Sequence, residues 1–158
     1  MTLRQRIDAA LKDAMKARDT TRLSTLRLIT AAVRDRDIAL RGEGREDGVT
    51  EAELQAILTR MVRQRLESAA SYEEAARLDL AEQERAEAAV VQEFLPRPLT
   101  GEEAQAAVSA AIAELGATSI RDMGRVMALL KERHAGQLDL STVGAQVKDR
   151  LAGPAQGA

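Results

Sequence analysis

Apolar residues recur three and four positions apart along nearly the whole chain, and nowhere do they alternate with polar ones as in a half-buried strand. Leu3, Ile7, Leu11 and Met15, with Ala10 and Ala14, predict a first helix that Thr2 can cap. After ARDTT, a second helix is predicted over about residues 22–40. Leu23, Leu26, Thr30, Val33 and Asp37 form its stripe, and Leu28, Ile29 and Ala32 broaden the apolar surface. A short polar turn between the two makes an antiparallel hairpin. RGEGREDGV, with three glycines and mixed charge, reads as a mobile loop. Thr50 and Glu53 then form a capping box for the longest helix, which runs to about Ala76.

A fourth helix, capped by Asp79, carries sparse apolar positions before Pro96 and Pro98 stop it. Past that boundary Thr100 and Glu103 open an alanine-rich helix that Gly116 ends. Ser119 and Asp122 open another, which Gly136 ends, and Asp139 caps a last one bearing Leu140, Val143, Val147 and Leu151. Gly153 and Pro154 begin a tail expected to fray. The expectation is an all-α chain of about seven helices. A long-helix hairpin or bundle forms an N-terminal domain over residues 1–96, and a small three-helix domain spans residues 97–153.

One position breaks the pattern. Gly124 sits inside the amphipathic stretch TSIRDMGRVMALLKERHAG, where a glycine costs about 1 kcal/mol relative to alanine. On a helical wheel Met123, Val126, Met127 and Leu130 share one face, Arg121, Arg125 and Ala128 the opposite one, and Gly124 lies at the edge. Two readings follow. Either another helix packs closely there, with the alanine-rich residues 104–113 as partner, or a phosphate backbone approaches beside the arginines.

Composition agrees with helices: aromatics make up 1% of the 158 residues, so the core must come from aliphatic residues, Met and Ala. The chain lacks cysteine, and its single histidine cannot make a zinc cage alone. No cofactor or metal is therefore expected. No long apolar run marks a leader or a membrane span, so a cytoplasmic protein without a membrane partner is expected. The net charge of -2 hides a gradient. Residues 1–45 hold 11 Lys and Arg against 6 Asp and Glu, residues 46–95 hold 5 against 12, and the remainder balances at 7 against 7. Such segregation marks either a nucleic-acid footprint or two segments that neutralise each other on packing.

Catalytic signals are absent. His134 falls in the last turn of its helix, where an imidazole suits the carbonyl end. No nucleophile-elbow, phosphate-loop or dinucleotide motif occurs, and the acidic runs read as solvated faces. With one Tyr and one Phe, a base-stacking RNA platform is excluded, which leaves recognition of structured RNA through phosphates and shape.

The run EFLPRPLTGEEAQAAVSAAIAELGATSIRDMGRVMALLKERHAG resembles the GatB/YqeY family, whose motif this chain carries as Asp122, Met123, Gly124, Arg125, Val126 and Met127. RLSTLRLITAAV and RLDLAEQERAE extend the resemblance over nearly the whole chain. It departs at GQLDLS, where many members have Asp-Gly and this chain has Leu140 after Asp139. The resemblance implies an all-α protein whose C-terminal domain is similar to the tail of the B subunit of tRNA-dependent amidotransferases, a tail associated with tRNA binding and not with the amide chemistry. On that basis the expected function is a non-catalytic, tRNA-associated protein. Arg121, Gly124, Arg125, Lys131, Arg133 and Lys148 are its RNA-binding candidates, with Arg150 beside them. Its expected partners are tRNA and a tRNA synthetase or amidotransferase. The alternative is an adaptor that binds a protein through the apolar surface of residues 22–40.

Overall fold

The computed structural model describes residues 1–153, and the tail expected from Pro154 onward lies outside them. Among the described residues there are seven α-helices, one 3-10 turn and no strand. The chain divides into two compact units, residues 1–96 and the segment from residue 97 onward.

The first unit is built from α1 (Leu3–Ala17), α2 (Thr20–Gly42), α3 (Glu51–Glu74) and α4 (Leu78–Gln92). Local chemistry sets their starts. Thr2 Oγ1 accepts the Gln5 N–H at 3.1 Å while Gln5 Oε1 accepts the Thr2 N–H at 2.9 Å, and Asp19 Oδ1 accepts the Arg22 N–H at 3.1 Å. The core joins Leu3 and Ile7 of α1, Leu26, Ile29 and Val33 of α2 and Leu54, Leu58 and Met61 of α3 with Val91 and Phe94. Buried Ala69, Ala81 and Ala88 let α3 and α4 pack closely along their length.

Several expectations change here. Met15 and Leu28 keep helical spacing but stand about half exposed, because α1 and α2 turn Ala14 and Ile29 inward instead. Asp79 does not cap α4. The chain enters that helix from Ala76, whose φ of 58° is left-handed, so the cap position falls on Arg77, and Asp79 lies in the first turn, 3.4 Å from the Arg77 guanidinium. The loop expected over residues 41–49 starts two residues later, after α2 ends at Gly42, and its far end is held by hydrogen bonds. Asp37 Oδ1 accepts the Val49 N–H at 2.9 Å, and Arg45 holds Glu53 through two hydrogen bonds of 2.8 and 3.0 Å.

The second unit contains α5 (Gly101–Leu115), a 3-10 turn (Ile120–Asp122), α6 (Met123–Arg133) and α7 (Leu140–Ala152). Ala104, Val108 and Ala111 of α5, Val126 and Leu130 of α6, and Val143, Val147 and Leu151 of α7 meet Leu138 in its core. Gly116, at φ 62°, ends α5 in the left-handed conformation that glycine adopts without steric cost. The Leu99 N–H donates to Gln137 O and Gln137 Nε2 donates to Arg97 O, both at 3.0 Å, which ties the entry of this unit to the loop before α7.

Candidate nucleic-acid interface

The Asp-Met-Gly motif does not lie inside one continuous helix. Asp122 ends the 3-10 turn, Met123 is the first residue of α6 and Gly124 the second. Asp122 Oδ2 accepts the Thr118 and Ser119 N–H groups at 3.0 and 3.3 Å. These bonds, assisted by Arg125, hold its carboxyl below the ordinary Asp range. Arg125 Nη1 in turn lies 3.3 Å from Asp122 Oδ1.

The glycine expected to be packed is open. A Cβ on Gly124 would meet no neighbouring atom within 4 Å. Val126 and Leu130 take the buried face, and Gly124 shares the exposed one with Arg121, Arg125, Ala128 and Lys131. The close approach occurs at a glycine that sequence reasoning missed. A Cβ on Gly144 of α7 would lie 3.9 Å from Met123 Cε and 4.0 Å from Met127 Cε. The motif's methionines therefore serve the α6–α7 contact while its glycine faces solvent. The signal that could have found Gly144 is its place next to Val143 on a helix whose apolar face must meet another.

The candidate cations separate into two groups. Arg121, Lys131 and Lys148 are exposed and form no ion pair among the described residues. Arg133 is turned to α5, where Nη2 donates to Glu114 at 2.6 Å, and Arg150 donates to Ser109 Oγ, also on α5. Arg133 and Arg150 thus brace α5 rather than join the Arg121 face. Arg125 stands between, tied to Asp122 and, through Nη2, to Leu115 O at 3.5 Å, yet 61% exposed, with N–H groups left for a further acceptor. His134 is the C-cap of α6, and its own N–H donates to Leu130 O at 2.9 Å. Among the described residues no group of three His, Cys, Asp or Glu could hold a metal ion, and no helix is long and apolar enough to cross a membrane.

A bundle of long helices followed by a three-helix unit with an exposed Gly-Arg edge defines an all-α protein of two helical units. The chain belongs to the Yqey-like protein family, whose model matches residues 4–151. Among curated proteins no match to the chain was found.

Proposed function

We propose that the protein is a non-catalytic, tRNA-associated helical protein that meets structured RNA through backbone phosphates, in the manner the resemblance to the amidotransferase tail domain implies. The observation that carries the reading is the open Gly124, flanked by the exposed Arg121 and Arg125. A helix surface without a side chain admits a sugar-phosphate backbone, and the two guanidinium groups beside Gly124 supply the charge that would meet it. Arg121 and Lys131 supply charge that no carboxylate among the described residues neutralises, and Lys148 lies on α7 one turn past Gly144, on the flank that meets α6. Shape and phosphate contacts suit a chain with a single Tyr and a single Phe, of which Phe94 is buried. The non-catalytic part of the reading rests on the sequence, which carries no nucleophile-elbow, phosphate-loop or dinucleotide motif. A tRNA synthetase or amidotransferase bound to the same tRNA would add affinity by avidity.

The test is a titration against total tRNA and duplex DNA over a range of salt. Arg121→Ala with Lys131→Ala is the cleaner pair, since Arg125 also serves Asp122. Binding should weaken, and its salt slope should flatten by roughly one for each phosphate that the variant no longer neutralises. Equal affinity of variant and parent, or no tRNA binding by the parent at low salt, defeats the reading.

A further inference from the structure

The first unit leaves a basic surface that the charge gradient only partly explains. Of the cations in residues 1–45, Arg22, Arg36 and Arg45 reach carboxylates of the acidic segment, Glu93 and Glu53. Arg27, Arg34 and Arg41 form no ion pair among the described residues, and all three are exposed on α2. They stand seven residues apart, so their Cα atoms follow nearly one line at intervals of roughly 10 Å. Between them Ala31 and Ile38 complete an alternating four-three spacing, the repeat of a coiled-coil seam. Ile38 is 64% exposed, and Leu28, at the far edge of the same face, is 49% exposed. On the α1 side the line adjoins a groove of about 220 Å³, with buried Ile7, Val33 and Leu54 at its floor and Arg34 and Asp8 among its lining residues.

The geometry points to this face of α2 as a docking surface for an acidic amphipathic helix of a partner protein, with carboxylates at seven-residue intervals set against Arg27, Arg34 and Arg41. The partner's apolar residues lie over Ala31 and Ile38 and place one side chain in the groove. A phosphate backbone would use the arginines but leave Ile38 and the adjoining groove without a partner, whereas a helix covers both. The chain's own acidic helices are poor occupants. Glu67, Glu73, Asp79, Glu87 and Glu93 are already held by Arg63, Arg85, Arg77, Arg65 and Arg22. Glu74, Glu82 and Glu84, which have no ion pair among the described residues, lack a seven-residue spacing, so the partner is a different protein. Asp35, on the same face, sets a preference for register because a carboxylate opposite it is repelled. The inference concerns the first unit and stands apart from the RNA reading of α6, since neither set of substitutions touches the other.

The probe is a fluorescent three-heptad peptide with Glu at one position of each heptad and Leu at the alternating three-four positions, titrated against the full chain. The parent should bind it saturably, more weakly as salt rises. Arg27→Glu, Arg34→Glu and Arg41→Glu combined should cost at least about tenfold in affinity. Replacing the peptide's Glu by Arg should restore binding to that triple variant and not to the parent. Ile38→Gln, which leaves the charges intact, should also weaken binding. Circular dichroism on each variant verifies that the helices persist. The proposal is overturned by no saturable binding to the parent, or by equal binding to the folded triple variant. It is also overturned if duplex RNA displaces the peptide and loses its affinity in the triple variant, or if the parent self-associates through this face.

Discussion

The guanidinium of Arg97 grips both carboxylate oxygens of Glu103, Nη1 to Oε1 at 3.0 Å and Nη2 to Oε2 at 2.8 Å. The same carboxylate accepts the Thr100 N–H at 3.2 Å, so one side chain caps α5 and holds the segment that leads into it. Arg45 and Glu53 repeat the device before α3. The Arg97 bond, followed by the Thr100 N–H, pulls the Glu103 carboxyl from its ordinary 4.5 down to about 2, and Arg45 does the same for Glu53. A carboxyl lowered in the fold stabilises fully above its unfolded value and loses that contribution as pH falls through the folded one. Stability should therefore fall between pH 4.5 and about 2. Glu103→Gln should lower the melting temperature above that window and flatten its fall within it. Parallel curves for variant and parent in thermal melts would refute the assignment for Glu103.

Gly48→Ala should destabilise the first unit by about 1 to 2 kcal/mol, the cost of a side chain in the left-handed region. Gly48 has φ +78°, and a Cβ there would come within 2.8 Å of Asp37 Oδ1, the oxygen that holds Val49. Gly44→Ala, at φ +87° with no atom within 4 Å, should show the backbone cost alone. Urea unfolding of the two variants separates strain from clash, and equal losses would show that Asp37 moves aside freely.

Gly124→Ala should raise stability by up to about 1 kcal/mol, and Gly124→Leu should stay within about 0.5 kcal/mol of the parent, because the site is open and helical. Under the RNA reading both substitutions weaken tRNA binding, Leu more than Ala, while the melting temperature does not fall. A large loss of stability in the Leu variant would restore the packing account of this glycine.

Gly144 should accept alanine as Gly124 does but refuse leucine. Alanine there meets Met123 and Met127 at ordinary contact distance, and relieving a glycine in a helix adds roughly 0.5 to 1 kcal/mol. Leucine has no room between two helices in contact and should cost about 1 to 3 kcal/mol by overpacking. Denaturant unfolding of Gly144→Ala and Gly144→Leu decides it: a tolerated leucine would mean that the two methionines yield.

The helices and most of their starts were legible because both arise from short-range relations; the exceptions are Asp79, which falls inside the first turn of α4, and the Ser119–Asp122 pair, which opens the 3-10 turn before α6. Thr2 with Gln5, Thr50 with Glu53 and Thr100 with Glu103 are three residues apart and form their caps whatever the rest of the chain does. The three-four apolar period equally marked Leu26, Ile29 and Val33 or Val143, Val147 and Leu151 as core. The Asp-Met-Gly motif marked its place in the chain without revealing which side of α6 would be covered. That depended on how α6 is rotated against α7, which directs Met123 and Met127 to Gly144 and leaves Gly124 outside. Contacts between distant residues were hidden for the same reason. The loop before α3 is tied at its end because Asp37, twelve residues from Val49, lies where its oxygen reaches that N–H. Arg133 is committed to Glu114, nineteen residues away, while Arg121 on the same segment pairs with no carboxylate among the described residues. Residue spacing along a helix determines which side chains share a face. Only the packed neighbours determine which of those faces is used up and which stays open to a partner, because burial and ion pairing depend on what lies across the gap.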